Sequence, residues 1–286
     1  MGLSPLNKEK LFENLLKSAS LIAIASLFFI IFFLVKESYF IFSEQKLLNT
    51  LTDQNWYPTE NQFLLLPMII GSLIIMCGTM LIAFPLGFLT AIFCKFYAPA
   101  WLNPSINRIL EILSGIPAVI YGFWGVMFIV PLLATWQAPG TSLLAGILVL
   151  SLIVTPGIYI IVYHSLADIN KSLVYNAIAL GLSRFSIIRY VVLPQIKQNL
   201  LTAISLQSGR AIGETLAVLM VCGNVVQIPG SLFDPVRTLT SNIALEMSYA
   251  LDVHRSALFL SGLVLLFIVL ALTYLANLQG RKTETI

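Results

Sequence analysis

Charge is what this 286-residue sequence has least of. Asp, Glu, Lys and Arg together make 10% of it, against 58% hydrophobic residues, and the mean hydropathy is +0.91. A soluble domain carries about 25% charged residues, so a chain this poor in them is not an ordinary soluble globule. The two histidines, His164 and His254, stand far apart, and Cys77, Cys94 and Cys222 show no CxxC spacing. That leaves no Cys/His framework for a metal. Neither HExxH nor a Ser/His/Asp set with supporting context is present, which argues against an embedded hydrolase. A GxxxxGK[ST] loop is absent as well. The expectation is that this chain binds no cofactor, and that any ATP is used by another polypeptide. No internal repeat is apparent, which weighs against an ion-coupled secondary transporter.

What the sequence has instead is long apolar runs. A helix needs about 20 mainly apolar residues to cross a bilayer. Such runs lie at 18–35, 61–94, 112–163, from beyond Glu214 to 233, and 256–280. The third is too long for one helix, and Pro131, Pro139 and Gly140 in "PLLATWQAPGT" punctuate it. We therefore expect an all-α polytopic membrane protein with six transmembrane helices. Lys8, Lys10, Lys17, Lys95, Arg108, Lys171, Arg184, Arg189, Lys197, Arg281 and Lys282 fall on one side of that topology; Lys36, Lys46, Arg237 and Arg255 fall on the other. The positive-inside rule then predicts both termini in the cytoplasm. The net charge of +3 reflects this topology and does not point to nucleic acid. The first run exceeds a signal-peptide core and ends in "VKESYF" with no small-residue cleavage site, so it reads as an uncleaved span.

Small residues mark where helices meet. Gly71, Gly78 and Gly87 in the second span permit close approach, and Pro85 permits a bend. "EILSGIPAVIYGFWG" crowds Gly115, Pro117, Gly122 and Gly125 together, which predicts a broken or kinked helix, or simple packing of small residues. "NWYP" places Trp56 and Tyr57 in an interfacial aromatic belt. The loop 164–199 has apolar residues at helical spacing, Leu173, Ala177 and Leu180, then Phe185, Ile188 and Val192. Gly181 suits a left-handed cap, Ser183 a helix start, and Pro194 a limit to the second helix. Two short helices meeting at a turn need a partner, the bundle or lipid headgroups to hold them.

"LQSGRAIGETLA" carries the ionised pair that most needs an explanation. A charge within a span costs at least about 3 kcal/mol and faces a bundle interior or water. Arg210 and Glu214, four residues apart, lie on one helix face and can pair, which would reduce that cost. An internal ion pair without a transport role is one reading. The other is an anion path: a guanidinium offers planar paired donors to phosphate oxygens, and Ser208, Gly209 and Gly213 keep neighbouring bulk low. Glu214 would then steady the arginine and keep binding shallow enough for release. Arg108 and Glu111 are expected as a surface ion pair, and Asp234, Pro235 and Arg237 as a turn with solvated charges.

"NAIALGLSRFSIIRYVVLP" resembles the coupling loop of ABC importer permeases, whose pattern is EAA, three residues, Gly, nine residues, then Ile-x-Leu-Pro. Ala177, Gly181, Val191, Leu193 and Pro194 keep it; Tyr175 and Asn176 replace the first two EAA residues. "SGIPAVIYGFWGV", "SGRAIGETLAVLMVCGN" and "SLFDPVRTLTSNIALEM" resemble phosphate-specific ABC transporter permeases of PstC type. The resemblance runs from about Leu66 to the C-terminus. It implies a MetI-like bundle in the cytoplasmic (inner) membrane of a prokaryote, with Arg210 and Glu214 at positions important for phosphate passage. The implied partners are a homologous PstA-like permease, two PstB-like ATPase subunits and an external PstS-like phosphate-binding protein. Another oxyanion, sulfate or molybdate, is the neighbouring alternative. The expected organisation is a first span with its external loop (1–63), a permease domain (64–280) containing the coupling loop, and a short cytoplasmic tail (281–286).

Overall fold

The computed structural model describes residues 5–43 and 55–281. Lys46, Lys282 and the tail beyond Arg281 lie outside the described residues. The chain is helical almost throughout: α1 (Pro5–Ser43), α2 (Leu66–Phe96), α3 (Leu102–Gly115), α4 (Ala118–Trp124), α5 (Val130–Ala134), α6 (Leu143–Ala167), α7 (Lys171–Ala179), α8 (Arg184–Ile187), α9 (Leu193–Gly213), α10 (Leu216–Val221), α11 (Leu239–Glu246) and α12 (Asp252–Arg281). Two π-helical segments, Gly125–Ile129 and Ile188–Val192, join α4 to α5 and α8 to α9. A small antiparallel hairpin, β1 (Trp56–Tyr57) and β2 (Gln62–Phe63), precedes α2.

Four helices are long and apolar enough to cross a membrane, within α1, α2, α6 and α12. A broken pair adds a further candidate: α3 and the run from Ala118 to Ala134 meet at 94°. The break falls at Ile116 and Pro117, both extended, where "SGIP" was expected to interrupt the helix. The remaining long helix is α9, packed against α2, α6 and α12. The sequence places a span from beyond Glu214 to 233, and here the structure differs. Only the six residues of α10 are helical in that stretch. Gly223 (φ 82°) and Asn224 (φ 55°) then turn the chain back on itself. Hydropathy misses α9 because Gln195, Lys197, Gln198 and Asn199 occupy its first turns.

α6 is the centre of the bundle and α2 its main neighbour. Their contact depends on missing side chains. A Cβ on Gly78 would fall 2.5 Å from Ile147 Cδ1, and one on Gly87 would fall 2.9 Å from Ile158 Cβ and 3.0 Å from the Thr155 carbonyl oxygen. The glycines thus let two helices touch backbone to side chain, the device membrane bundles use where lipid gives no hydrophobic drive. α1, by contrast, packs along α12 and leaves most of its apolar surface exposed.

The expectation of two short helices meeting at a turn is met in outline. Asn170 caps α7 by accepting from the Ser172 N–H at 3.0 Å, Gly181 is left-handed at φ 77°, and Ser183 Oγ accepts from the Ser186 N–H at 3.2 Å. Pro194 does not limit the second helix. It sits in the first turn of α9, and the chain passes from α8 through the π-helical segment without stopping. A wider π turn accommodates a residue that lacks the N–H for a continued i→i−4 ladder. Burial also departs from the simple pattern: Ala177, Ile188 and Val192 are buried, whereas Leu173, Leu180 and Phe185 are exposed.

Substituting Gly87 by Val should push α2 off α6 and lower stability by about 1–3 kcal/mol, the usual cost of overpacking. Gly115→Ala, at a site with nothing within 4 Å of the added Cβ, should leave the melting temperature in detergent unchanged. Equal melting of both variants would refute this account of the α2–α6 contact.

Candidate functional site

Arg210 lies in the last turn of α9, where the negative end of the helix dipole favours a cation. The helix ends at Gly213. Glu214 is extended (φ −68°, ψ 125°), and α10 starts two residues later. The expected i, i+4 pairing on one helix face therefore does not occur, and Arg210 and Glu214 form no ion pair. The break between them turns the carboxylate away from the helical position that pairing requires. Ser208, Ala211 and Ile212 are buried in the bundle, Gly209 is half-buried against Val269 of α12, and Arg210 and Gly213 are exposed. A Cβ on Gly213 would meet nothing within 4 Å.

Neighbouring segments frame this break. Thr240 Oγ1, at the start of α11, donates to the Glu214 carbonyl at 3.1 Å, and Thr215 Oγ1 donates to the Gly213 carbonyl at 3.2 Å. The interrupted backbone thus has hydroxyl partners in place of a helical ladder. Tyr121 of α4 donates back across the α3–α4 bend to the Leu113 carbonyl at 2.9 Å. One turn before Arg210, Gln207 is buried against Gly157 of α6, where any Cβ would come within 2.7 Å of the amide. Counting from Lys197, Arg210 is 13 residues along α9, about 20 Å at 1.5 Å per residue.

The residues expected to form a coupling loop lie apart from this break, at and before the opposite end of α9. Ala177 is buried in α7, Gly181 makes the turn, Val191 and Leu193 are half-buried, and Pro194 is exposed. Tyr175, Ile178, Leu180 and Phe185 present exposed apolar surface around that turn.

Two polar groupings went unread in the sequence. Asn103 and Asn107 of α3 accept hydrogen bonds from Tyr163 and Tyr159 of α6 through their Oδ1 atoms, tying the two helices together. The second grouping centres on Glu246 at the end of α11, which is 6% exposed. Its Oε1 accepts from Arg237 NH1 at 2.7 Å; its Oε2 accepts from Trp56 Nε1 at 2.9 Å and pairs with His254 Nε2 at 2.8 Å. Arg237 also donates through NH1 to Asn242 Oδ1 at 3.1 Å and through Nε to the Asn224 carbonyl at 2.9 Å. Two expectations are corrected here. Arg237 is largely buried and paired rather than solvated, because Glu246 supplies the charge it needs. Trp56 is buried beneath the hairpin, unlike exposed Tyr57, because its indole N–H bonds the same carboxylate. Asp234 keeps its turn role, accepting from the Gly230 and Ser231 N–H groups at 2.8 Å. Arg108 and Glu111 are both exposed and form no ion pair.

A family model described as "binding-protein-dependent transport system inner membrane component" matches residues 83–284. Among curated proteins, the chain is 40% identical over 237 residues to a probable ABC transporter permease protein, YqgH, of Bacillus subtilis, covering 79% of this chain and 77% of that one. It is 31% identical over 255 residues to the phosphate transport system permease protein PstC of Haemophilus influenzae, covering 82% and 81%. The probable PstC of Methanocaldococcus jannaschii is 33% identical over 232 residues, covering 74% and 73%. Among solved structures, an inward-facing MetNI methionine ABC transporter matches with TM-score 0.57 at 20% identity, over 77% of this chain and 94% of that chain. A bacterial alginate ABC transporter in complex with an alginate-bound periplasmic protein matches with TM-score 0.61 at 16% identity, over 96% and 98%.

Glu246→Ala should leave Arg237 buried without its partner and destabilise the protein by about 3–5 kcal/mol. The double change Arg237→Met with Glu246→Leu removes both charges and should recover most of that loss. Thermal unfolding in detergent of the wild type, the single and the double variant tests this, and a double variant no more stable than Glu246→Ala would contradict it.

Proposed function

Because the chain belongs to the family of binding-protein-dependent transport system inner membrane components, an ABC permease and not itself an enzyme, we propose that it carries inorganic phosphate across the cytoplasmic membrane as one permease subunit of an ATP-driven importer. The observation that carries this reading is Arg210. An ionised side chain at membrane depth faces a bundle interior or water, since hydrocarbon penalises it heavily. Arg210 is on the surface of this chain alone, so a homologous permease subunit is the natural second wall of its surroundings. Helix breaks at membrane depth are tolerated where they line such a cavity. Gly213 beside the break keeps approach open, and the guanidinium supplies donors suited to a phosphate oxyanion. The PstC relatives favour phosphate over sulfate or molybdate.

In this reading the α7–α8 end faces the cytoplasm, as do both termini. Two ATPase subunits hold the pair of coupling loops, one of them on the exposed Tyr175, Ile178 and Leu180. ATP-driven closure of the ATPases would tilt α7 and α8, and the continuous path from α8 through the π segment into α9 would carry the motion to Arg210. An external phosphate-binding protein delivers the anion at the opposite end. Glu214, extended next to the break, limits how tightly an anion is held.

Uptake of radiolabelled phosphate at low concentration, by cells lacking this chain and complemented at matched membrane levels, tests the proposal. The wild type should restore ATP-dependent uptake. Arg210→Gln should lower it about 10–100-fold, the range of one charge-assisted hydrogen bond, and Glu214→Gln should change turnover. Wild-type complementation of sulfate or molybdate uptake, with none of phosphate, would overturn the substrate.

A further inference from the structure

A cleft of about 380 Å³ opens between α2 and the α8–α9 junction, lined by Phe88, Leu89, Ile92, Tyr97, Ile188 and Arg189, with Phe185 and Leu193 at its sides. Its walls are almost entirely apolar, and one guanidinium closes it at the top. Three observations place it at a membrane boundary. α2 is a spanning helix whose apolar run ends at Phe96. Arg184 reaches the Phe96 carbonyl next to Lys95, Arg189 lines the cleft with Tyr97, and Tyr97, Trp101 and Tyr190 are exposed, the pairing of cations and amphipathic aromatics found at headgroup depth. From Phe96 down to Phe88 the cleft wall descends eight residues of helix, about 12 Å, into the hydrocarbon zone.

Among the described residues no carboxylate forms an ion pair with Arg184 or Arg189. Arg189 lies over the Tyr190 ring at 5.8 Å, and Arg184 lies over the Tyr97 ring at 5.9 Å while NH1 donates to the Phe96 carbonyl at 3.2 Å. Both are thus held by aromatic faces and backbone, with donors left over. An apolar slot descending from an unneutralised guanidinium calls for a ligand that is anionic at one end and hydrocarbon at the other.

We propose that this cleft binds an anionic phospholipid from the adjacent leaflet, its phosphate on Arg189 with Arg184 beside it, and an acyl chain along Phe88, Leu89 and Ile92. The cleft joins α2 of the bundle to the junction through which α8 leads into α9, so a lipid there braces the segment against the bundle core. This site is independent of the solute the protein carries. It stands or falls on lipid chemistry alone.

Membranes containing the full chain, doped with phosphatidylglycerol bearing a photoactivatable acyl chain, would be irradiated and the labelled peptides mapped. A phosphatidylcholine probe of the same chain runs in parallel. The expected result is labelling of the segment 88–97 or 185–193 that is about tenfold stronger from phosphatidylglycerol, as one charge-assisted contact implies. Arg189→Gln should abolish that preference, and Arg255→Gln, remote from the cleft, should keep it. Equal labelling by both lipids would overturn the proposal. So would a preference unchanged by Arg189→Gln, or cross-linking of a neighbouring protein subunit to the cleft in place of lipid. None of these readouts depends on phosphate uptake.

Discussion

Hydrocarbon offers no hydrogen-bond partner to an interrupted backbone, and that constraint decides where each break in this chain lies. The 94° bend between α3 and α4 is braced by Tyr121, which donates back to the Leu113 carbonyl. The break after α9 is braced by Thr215 and Thr240. The irregular return after α10 is paired to the start of α6: the Ser142, Leu143 and Leu144 N–H groups donate to the carbonyls of Val221, Asp234 and Leu232 at 2.8–3.1 Å. At each of these three places a neighbouring segment or side chain supplies a hydrogen bond to the interrupted backbone. The bundle core of α2 and α6, kept tight by Gly78 and Gly87, is what brings those neighbours within reach.

The Glu246 cluster follows the same logic at a higher cost. Burying a carboxylate is unfavourable unless several donors compensate it, and here three side chains do so from different parts of the sequence. Trp56 belongs to the hairpin before α2, Arg237 to the return loop and His254 to the start of α12. One carboxylate therefore fixes the mutual position of three segments that share no helix. The Arg237 bond to the Asn224 carbonyl extends this to the turn that reverses the chain after α10. The end of the molecule away from α7 and α8 is held by this polar hub together with an apolar cluster that includes Phe63, Leu65, Met68, Leu239 and Leu258.

How much of this was legible depended on whether the signal was local. Apolar runs gave the long helices 1, 2, 6 and 12, and the glycines of α2 gave its close contact. Gly181 and Ser183 gave the turn between α7 and α8 because caps act within a few residues. The span at α9 was misplaced into 214–233, since Gln195, Lys197, Gln198 and Asn199 lowered hydropathy where packing against three neighbours, not composition, makes the helix. The Arg210–Glu214 pair was inferred from spacing on a continuous helix, and one backbone change at Glu214 removed it. The Glu246 cluster left no trace in the sequence, because Trp56 and Glu246 are 190 positions apart and neither belongs to a periodic pattern. Recognising the family from its motifs depended on chemistry at fixed spacing, and that survived where geometry did not.

Arg210 also shows why a single chain is an incomplete description of this site. Among the described residues it has no carboxylate partner, and in the proposed membrane placement it sits about 20 Å along α9 from Lys197, inside a hydrocarbon layer of about 30 Å. A guanidinium left against lipid at that depth would be penalised by several kcal/mol, more than the dipole of the α9 C-terminus returns. The residues around it do nothing to hide it: Gly213 is open, and Gly209 fills no more space than Val269 leaves. In the function proposed above, a second permease surface and water stand opposite it. In that reading the helix break matters because it takes Glu214 out of the helical position that pairing with Arg210 requires, and so leaves the guanidinium's donors free.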